Sequence, residues 1–175
     1  AGAGGSNPLA PTIKHSAFLS FWEMKFTGAD LGQIDRAKGI LLGLAAGDRN
    51  GGPIRMALRL AESLVAVGKF DPGDIGARYL DWWRKGAFDT GPTAARVLTL
   101  VDSGLSFPAA AQQVHIETGE QTAGCNPAHR SAPLAMMSEL DTQQLAEYAR
   151  QEAKLTHHHP LSSDVAAAVV SICHH

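Results

Sequence analysis

The chain has 175 residues, with 15 Lys plus Arg against 17 Asp plus Glu, 8 His, 18 Gly and 9 Pro. At 45% hydrophobic and 18% charged, it is too apolar to be disordered throughout and long enough for one domain with its own core. A net charge of −2 gives no electrostatic footing for nucleic acid or an anionic membrane, and no apolar run approaches the roughly 18–20 residues of a membrane span.

Residues 1–12, AGAGGSNPLAPT, have the composition of a linker, and residues 15–26, HSAFLSFWEMKF, are apolar and aromatic. The second stretch reads as a short helix docked on the domain in preference to a processed leader, because Glu23 and the absence of Arg fit a targeting peptide poorly. Residues 1–33 therefore form an N-terminal extension and 34–175 the main domain. Cys125 and Cys173 lie far apart and form no C-x-x-C pair, which points to a reduced, cytoplasmic protein.

From residue 36 the text is helical. Ala37, Ile40, Leu41, Leu44 and Ala45 follow 3-4 spacing on a helix ending near Gly47. GDRNGGP (47–53) is a turn, and a second helix follows with Met56, Leu60, Leu64 and Val67 inward, stopping at Gly68. Asp71-Pro72 opens a third helix: Asp71 caps the free amides and Pro72 suits the first helical position. Its apolar face is Ile75, Tyr79 and Trp82, with Trp82 in the core and Trp83 at the rim. Pro92 starts a fourth helix through Val97, Leu98 and Val101 to Gly104; residues 107–118 and 141–154 read as two more. Thr156 to Asp164 is a polar lead-in to a last helix, VAAAVVSIC. No stretch of strict alternation competes, so the expected class is all-α, a compact bundle of antiparallel helices with short loops.

Four loops are more particular than helix connections need to be. In the first, Asp48 follows a helix C-terminus, where the dipole disfavours a carboxylate; it needs a partner, which could be a metal, a substrate hydroxyl or Arg49. In Phe88-Asp89-Thr90-Gly91-Pro92-Thr93, a carboxylate and two hydroxyls gather at a helix N-terminus, a setting for ligand acceptors that a simple cap by Asp89 or Thr90 also explains. In the third, Gly124, Cys125, Asn126, His129 and Arg130 combine close backbone approach, an amide with donor and acceptor, and a guanidinium able to grip a phosphate. Cys125 beside His129 also admits a nucleophile–base reading, which no orienting acid supports. His157-His158-His159 resembles a metal tract, but neighbouring side chains diverge, so one histidine aimed at a cleft is the better reading.

In this order and spacing, GILLGLAAGD (39–48), MALRLAESL (56–64), FDPGDIGARYLDWWRKGAFDTGPTAARVL (70–98), GCNPAHRSAPLAM (124–136) and LTHHHPLSSDVAAAVVSI (155–172) resemble the ADP-ribosylglycohydrolase family, which includes the dinitrogenase-reductase-activating glycohydrolases. The resemblance spans about 140 residues. It implies an all-α fold with a cleft for ADP-ribose, hydrolysis of the bond between ADP-ribose and a protein side chain, and two Mg²⁺ ions. By motif, it implies catalytic roles for Asp48, in the Gly-Asp-x-x-Gly segment, and for Asp89, in the Asp-x-Gly loop beside the ribose. It implies substrate-binding roles for Gly91, for Gly124, Asn126 and Arg130, and for His157 in the Thr-His step.

The departures from the family pattern concentrate on the metal ligands. Arg55 stands where the family carries a Glu, and Gly51-Gly52-Pro53-Ile54 stands where it carries Thr-Asp-Asp-Thr. A further Asp-x-Asp-Thr segment would fall beyond residue 175. A guanidinium cannot replace a carboxylate as a Mg²⁺ ligand. Three functions follow as expectations: a hydrolase of ADP-ribosylated protein, an ADP-ribose or nucleotide reader that has lost turnover, and a structural, crystallin-like use of the scaffold. A chain that is the N-terminal part of a longer family member would expose an apolar face and pair with a partner or a second copy.

Overall fold

The computed structural model describes residues 31–48 and 50–175, and Leu31–His175 form one unit. The expectations for residues 1–30, including the short apolar helix, lie outside the described residues. Among the described residues eight α-helices follow one another: α1 (Leu31–Gly47), α2 (Gly52–Val67), α3 (Pro72–Arg84), α4 (Pro92–Asp102), α5 (Phe107–Glu117), α6 (Asn126–Arg130), α7 (Thr142–Ala153) and α8 (Pro160–His174). A 3₁₀ turn, Ala132–Met136, joins α6 to the segment before α7. Among the described residues there is no strand, and the protein is all-α. No helix among them is long and apolar enough to cross a membrane.

The helix starts obey local chemistry. Asp71 accepts hydrogen bonds from the Gly73 and Asp74 amides with Pro72 in the first turn, Ser106 caps α5 through Ala109, and Asp141 caps α7 through Gln144. Such caps are worth about 0.5–2 kcal/mol each. The apolar faces meet in one main core of Met56, Leu60, Ile75, Tyr79, Trp82, Leu98, Leu134, Leu145 and Val170. A second cluster, Val97, Val101, Ala110, Ala111 and Val114, seals α4 against α5. Each large side chain so buried contributes about 1.5–3 kcal/mol. Gly76 is needed where α3 meets Phe107, because a Cβ there would come within 2.7 Å of the ring.

Several boundaries differ from the expectation. α1 begins at Leu31, five residues early. α8 begins at Pro160, inside the expected polar lead-in, because His159 caps it by accepting from the Leu161 amide through Nδ1. Within the stretch 123–130 expected as a loop, Asn126–Arg130 form α6, and the 3₁₀ turn Ala132–Met136 follows. Val67 was expected inward, yet it sits exposed in the final turn of α2, beyond the reach of the core.

Candidate functional site

α1 ends at Gly47, and Asp48 turns its carboxylate onto the start of the next helix. Oδ1 accepts from the amides of Asn50 (3.2 Å) and Gly51 (2.8 Å), and Oδ2 accepts from Ile54 (2.8 Å). The partner that Asp48 requires is therefore the N-terminus of α2, whose free amides and positive dipole end favour a carboxylate. Partial burial works to raise its pKa, but the three amides and nearby His129 outweigh it and hold Asp48 below the usual carboxylate range. It stays ionised at neutral pH.

The loop before α4 packs directly on this turn. A Cβ on Gly52 would meet the carbonyl oxygens of Asp89 and, at 2.7 Å, Phe88, so only glycine lets the two loops touch. Asp89 adopts a left-handed φ of 50°, its side chain exposed and without a hydrogen-bond partner among the described residues. Neither Asp89 nor Thr90 caps α4. The N-cap is Gly91, at φ 73°, and it makes no side-chain cap. Arg55 lies over the Phe88 ring, 5.3 Å from its centroid.

These two loops and the 124–129 segment surround one cleft of about 840 Å³, within the range of small-ligand sites. Its polar rim is Asp48, Asn50, Asp89, Gly91, Asn126 and His129, and its apolar wall is Ile40 and Leu44 of α1 with Val169 of α8. Cys125 and Cys173 also line it as free thiols. Cys125 and His129 are linked only by the helical bond from the His129 amide to the Cys125 carbonyl, so no nucleophile–base pair forms between their side chains.

Of the residues singled out by motif, Asp48, Asp89, Gly91 and Asn126 reach this cleft, while Arg130 and His157 lie beneath it. Arg130 is fully buried, and its Nε donates to Glu152 Oε1 at 2.7 Å. It also lies 5.1 Å from the Tyr79 ring centroid. It serves as an internal ion-pair partner in place of an open phosphate grip. His157 is 2% exposed, with Nδ1 2.9 Å from Thr156 Oγ1, and burial together with the Arg130 charge lowers its pKa to about 3. The ring is therefore neutral. Gly124 lies against it, since a Cβ there would come 2.9 Å from Nε2. The three consecutive histidines do not share one site with His157: it points into the core, while His158, exposed, and His159, which caps α8, both lie against the His115 ring, at 5.0 and 5.8 Å between centroids.

Glu152 escaped the reading of motifs. The signal was present in the spacing, because Leu145, Ala149, Glu152 and Ala153 share one helical face and three of the four are apolar core residues. A carboxylate on that stripe must be paired inside.

Among the described residues, no oxygen-ligand set is assembled for the two Mg²⁺ ions that the resemblance implies. Mg²⁺ takes oxygen ligands, chiefly carboxylates and water. Both Asp48 oxygens are engaged by backbone amides, and no group of three or more His, Cys, Asp or Glu among the described residues is placed to hold a metal.

Comparison with known proteins agrees with the all-α scaffold. The family model for ADP-ribosylglycohydrolase matches residues 53–175. Neither the curated proteins nor the solved structures contain a match.

Proposed function

The chain belongs to the ADP-ribosylglycohydrolase family, and from that premise we propose that its cleft holds ADP-ribose, attached to a protein side chain, and that the reaction is hydrolysis of the glycosidic bond at the ribose. One observation carries this reading: three loops distant in sequence converge on a single cleft and bring both candidate carboxylates to it. In the reaction, the bond from ribose C1 to the side-chain nitrogen or oxygen breaks through an oxocarbenium-like state. A water oxygen joins C1, and the leaving group takes up a proton. Asp48 suits a fixed negative charge beside the developing cation, because its amide partners make it a poor base and keep it ionised. Asp89, exposed and with no hydrogen-bond partner among the described residues, suits the acceptance of the water proton. No step is assigned to Mg²⁺.

The engaged oxygens of Asp48 favour a second reading, in which the cleft binds ADP-ribose without turning it over. Release of ADP-ribose from a modified protein, measured with the wild type and Asp89→Asn, with Mg²⁺ and with chelator, separates the two. Release lost in Asp89→Asn supports hydrolysis. Tight, chelator-insensitive binding by calorimetry with no release leaves the reader, and no binding in any condition overturns both.

A further inference from the structure

Glu152 is a fully buried carboxylate with no part in the chemistry above, yet its neighbours lead back to the cleft. Tyr79 Oη and Arg130 Nε both donate to Glu152 Oε1 at 2.7 Å, while Oε2 has no hydrogen-bond partner among the described residues. Arg130 Nη2 donates to the Glu152 carbonyl at 3.4 Å. From the other arm of the guanidinium, Nη1 donates to Asn126 Oδ1 in a short hydrogen bond. Asn126 Nδ2 in turn donates to the Thr90 carbonyl at 3.1 Å. The links thus run from α3 and α7, through α6, to the residue between Asp89 and Gly91.

The chemistry of the two ends sets the direction of the amide. A guanidinium only donates and a backbone carbonyl only accepts. Asn126 therefore has one satisfactory orientation, with Oδ1 towards Arg130 and Nδ2 towards Thr90. That leaves one N–H of Nδ2 uncommitted on a residue that lines the cleft. A buried ion pair is often no better for stability than a well-packed apolar pair of the same volume. Orientation is what the charged pair supplies and an apolar pair would not.

We propose that Glu152, outside the cleft, is a positioning residue: through Arg130 it locks Asn126 and the Asp89–Gly91 loop so that Asn126 offers an N–H to an acceptor oxygen of the ligand. The ligand assignment rests on the ADP-ribose reading above; the locked amide does not. The test uses the full chain and the double variant Glu152→Leu/Arg130→Met, which removes both charges at once and so leaves neither stranded. It measures thermal stability, the side-chain amide resonances of Asn126 without ligand, and calorimetric affinity for ADP-ribose. The expected result is a folded protein with a lowered melting temperature, since Tyr79 Oη loses its acceptor, together with displaced Asn126 resonances and affinity weakened by about tenfold, the scale of one hydrogen bond. Glu117→Gln, which breaks the surface pair with Arg96, serves as the control and should move neither signal. A folded double variant with native Asn126 resonances and native affinity overturns the proposal. If the double variant fails to fold, Glu152→Gln keeps the shape of the side chain but removes the charge that holds Arg130, and native Asn126 resonances in it overturn the proposal equally. If the wild type binds no ADP-ribose, the ligand reading fails by itself, and the Asn126 resonances still decide the positioning: displaced supports it, native overturns it.

Discussion

The backbone carbonyl of Asp89 occupies the space where a side chain on Gly52 would begin. This contact locks the start of α2, which holds Asp48, to the loop that carries the second cleft carboxylate. Gly52→Ala must push the two apart. It should cost about 1–3 kcal/mol, the range of overpacked sites, and weaken ADP-ribose binding because both carboxylates shift. Urea unfolding and calorimetry check this; native stability and affinity together would show that the contact is slack.

Glycine has the opposite meaning on α1. Gly39 and Gly43 line the cleft, and a Cβ at either position would meet nothing within 4 Å. Gly39→Ala should stabilise the helix by about 0.5–1 kcal/mol while placing a methyl group in the cleft. The melting temperature is expected to rise and ADP-ribose affinity to fall. A parallel rise in both would mean that the ligand does not approach this wall.

His157 makes a pH prediction with a definite sign. Its imidazole titrates at about 3 in the folded chain against 6.5 as the ordinary value. Between these values the unfolded chain binds the proton and the folded chain does not. Stability is unaffected above pH 6.5 and falls as pH drops from 6.5 towards 3, by up to about 1.4 kcal/mol per unit. His157→Gln lacks this loss, so its stability relative to wild type should improve steadily as the pH is lowered in urea titrations. Parallel pH curves for the two proteins would contradict a neutral buried ring.

Asp89 sits at a left-handed φ, which Asn tolerates better than most residues. Asp89→Asn should therefore unfold within about 0.5 kcal/mol of wild type, as expected for an exposed site. If Asp89 accepts the water proton, release of ADP-ribose should drop by about 10²–10⁴-fold with binding largely retained. Undiminished release assigns the proton to another group.

Helix positions were legible because their causes are local. Asp71-Pro72 caps and starts α3, and Ile75, Tyr79 and Trp82 return on one face at helical spacing. Asp48 was legible as a residue in need of a partner, because a carboxylate after a helix C-terminus is unfavourable wherever the rest of the chain goes. The partner itself lay two to six residues on, in the amides at the start of a helix that a glycine-rich turn redirects. Of the four loops that the sequence singled out, the first three line the cleft and the fourth does not.

The sequence by itself thus determined the helical class, the Asp71-Pro72 start of α3 and three of the loops around the cleft. Which side chains face the cleft was decided by the tertiary structure. Arg130 and His157 carry the same residue types whether they grip a ligand or sit beneath the loop. Glu152, 22 residues beyond Arg130, and Tyr79, 73 residues before Glu152, draw the guanidinium inward. A buried charge goes where its counter-charge and hydrogen-bond partners are, and that place exists only once α3, α6 and α7 have packed together.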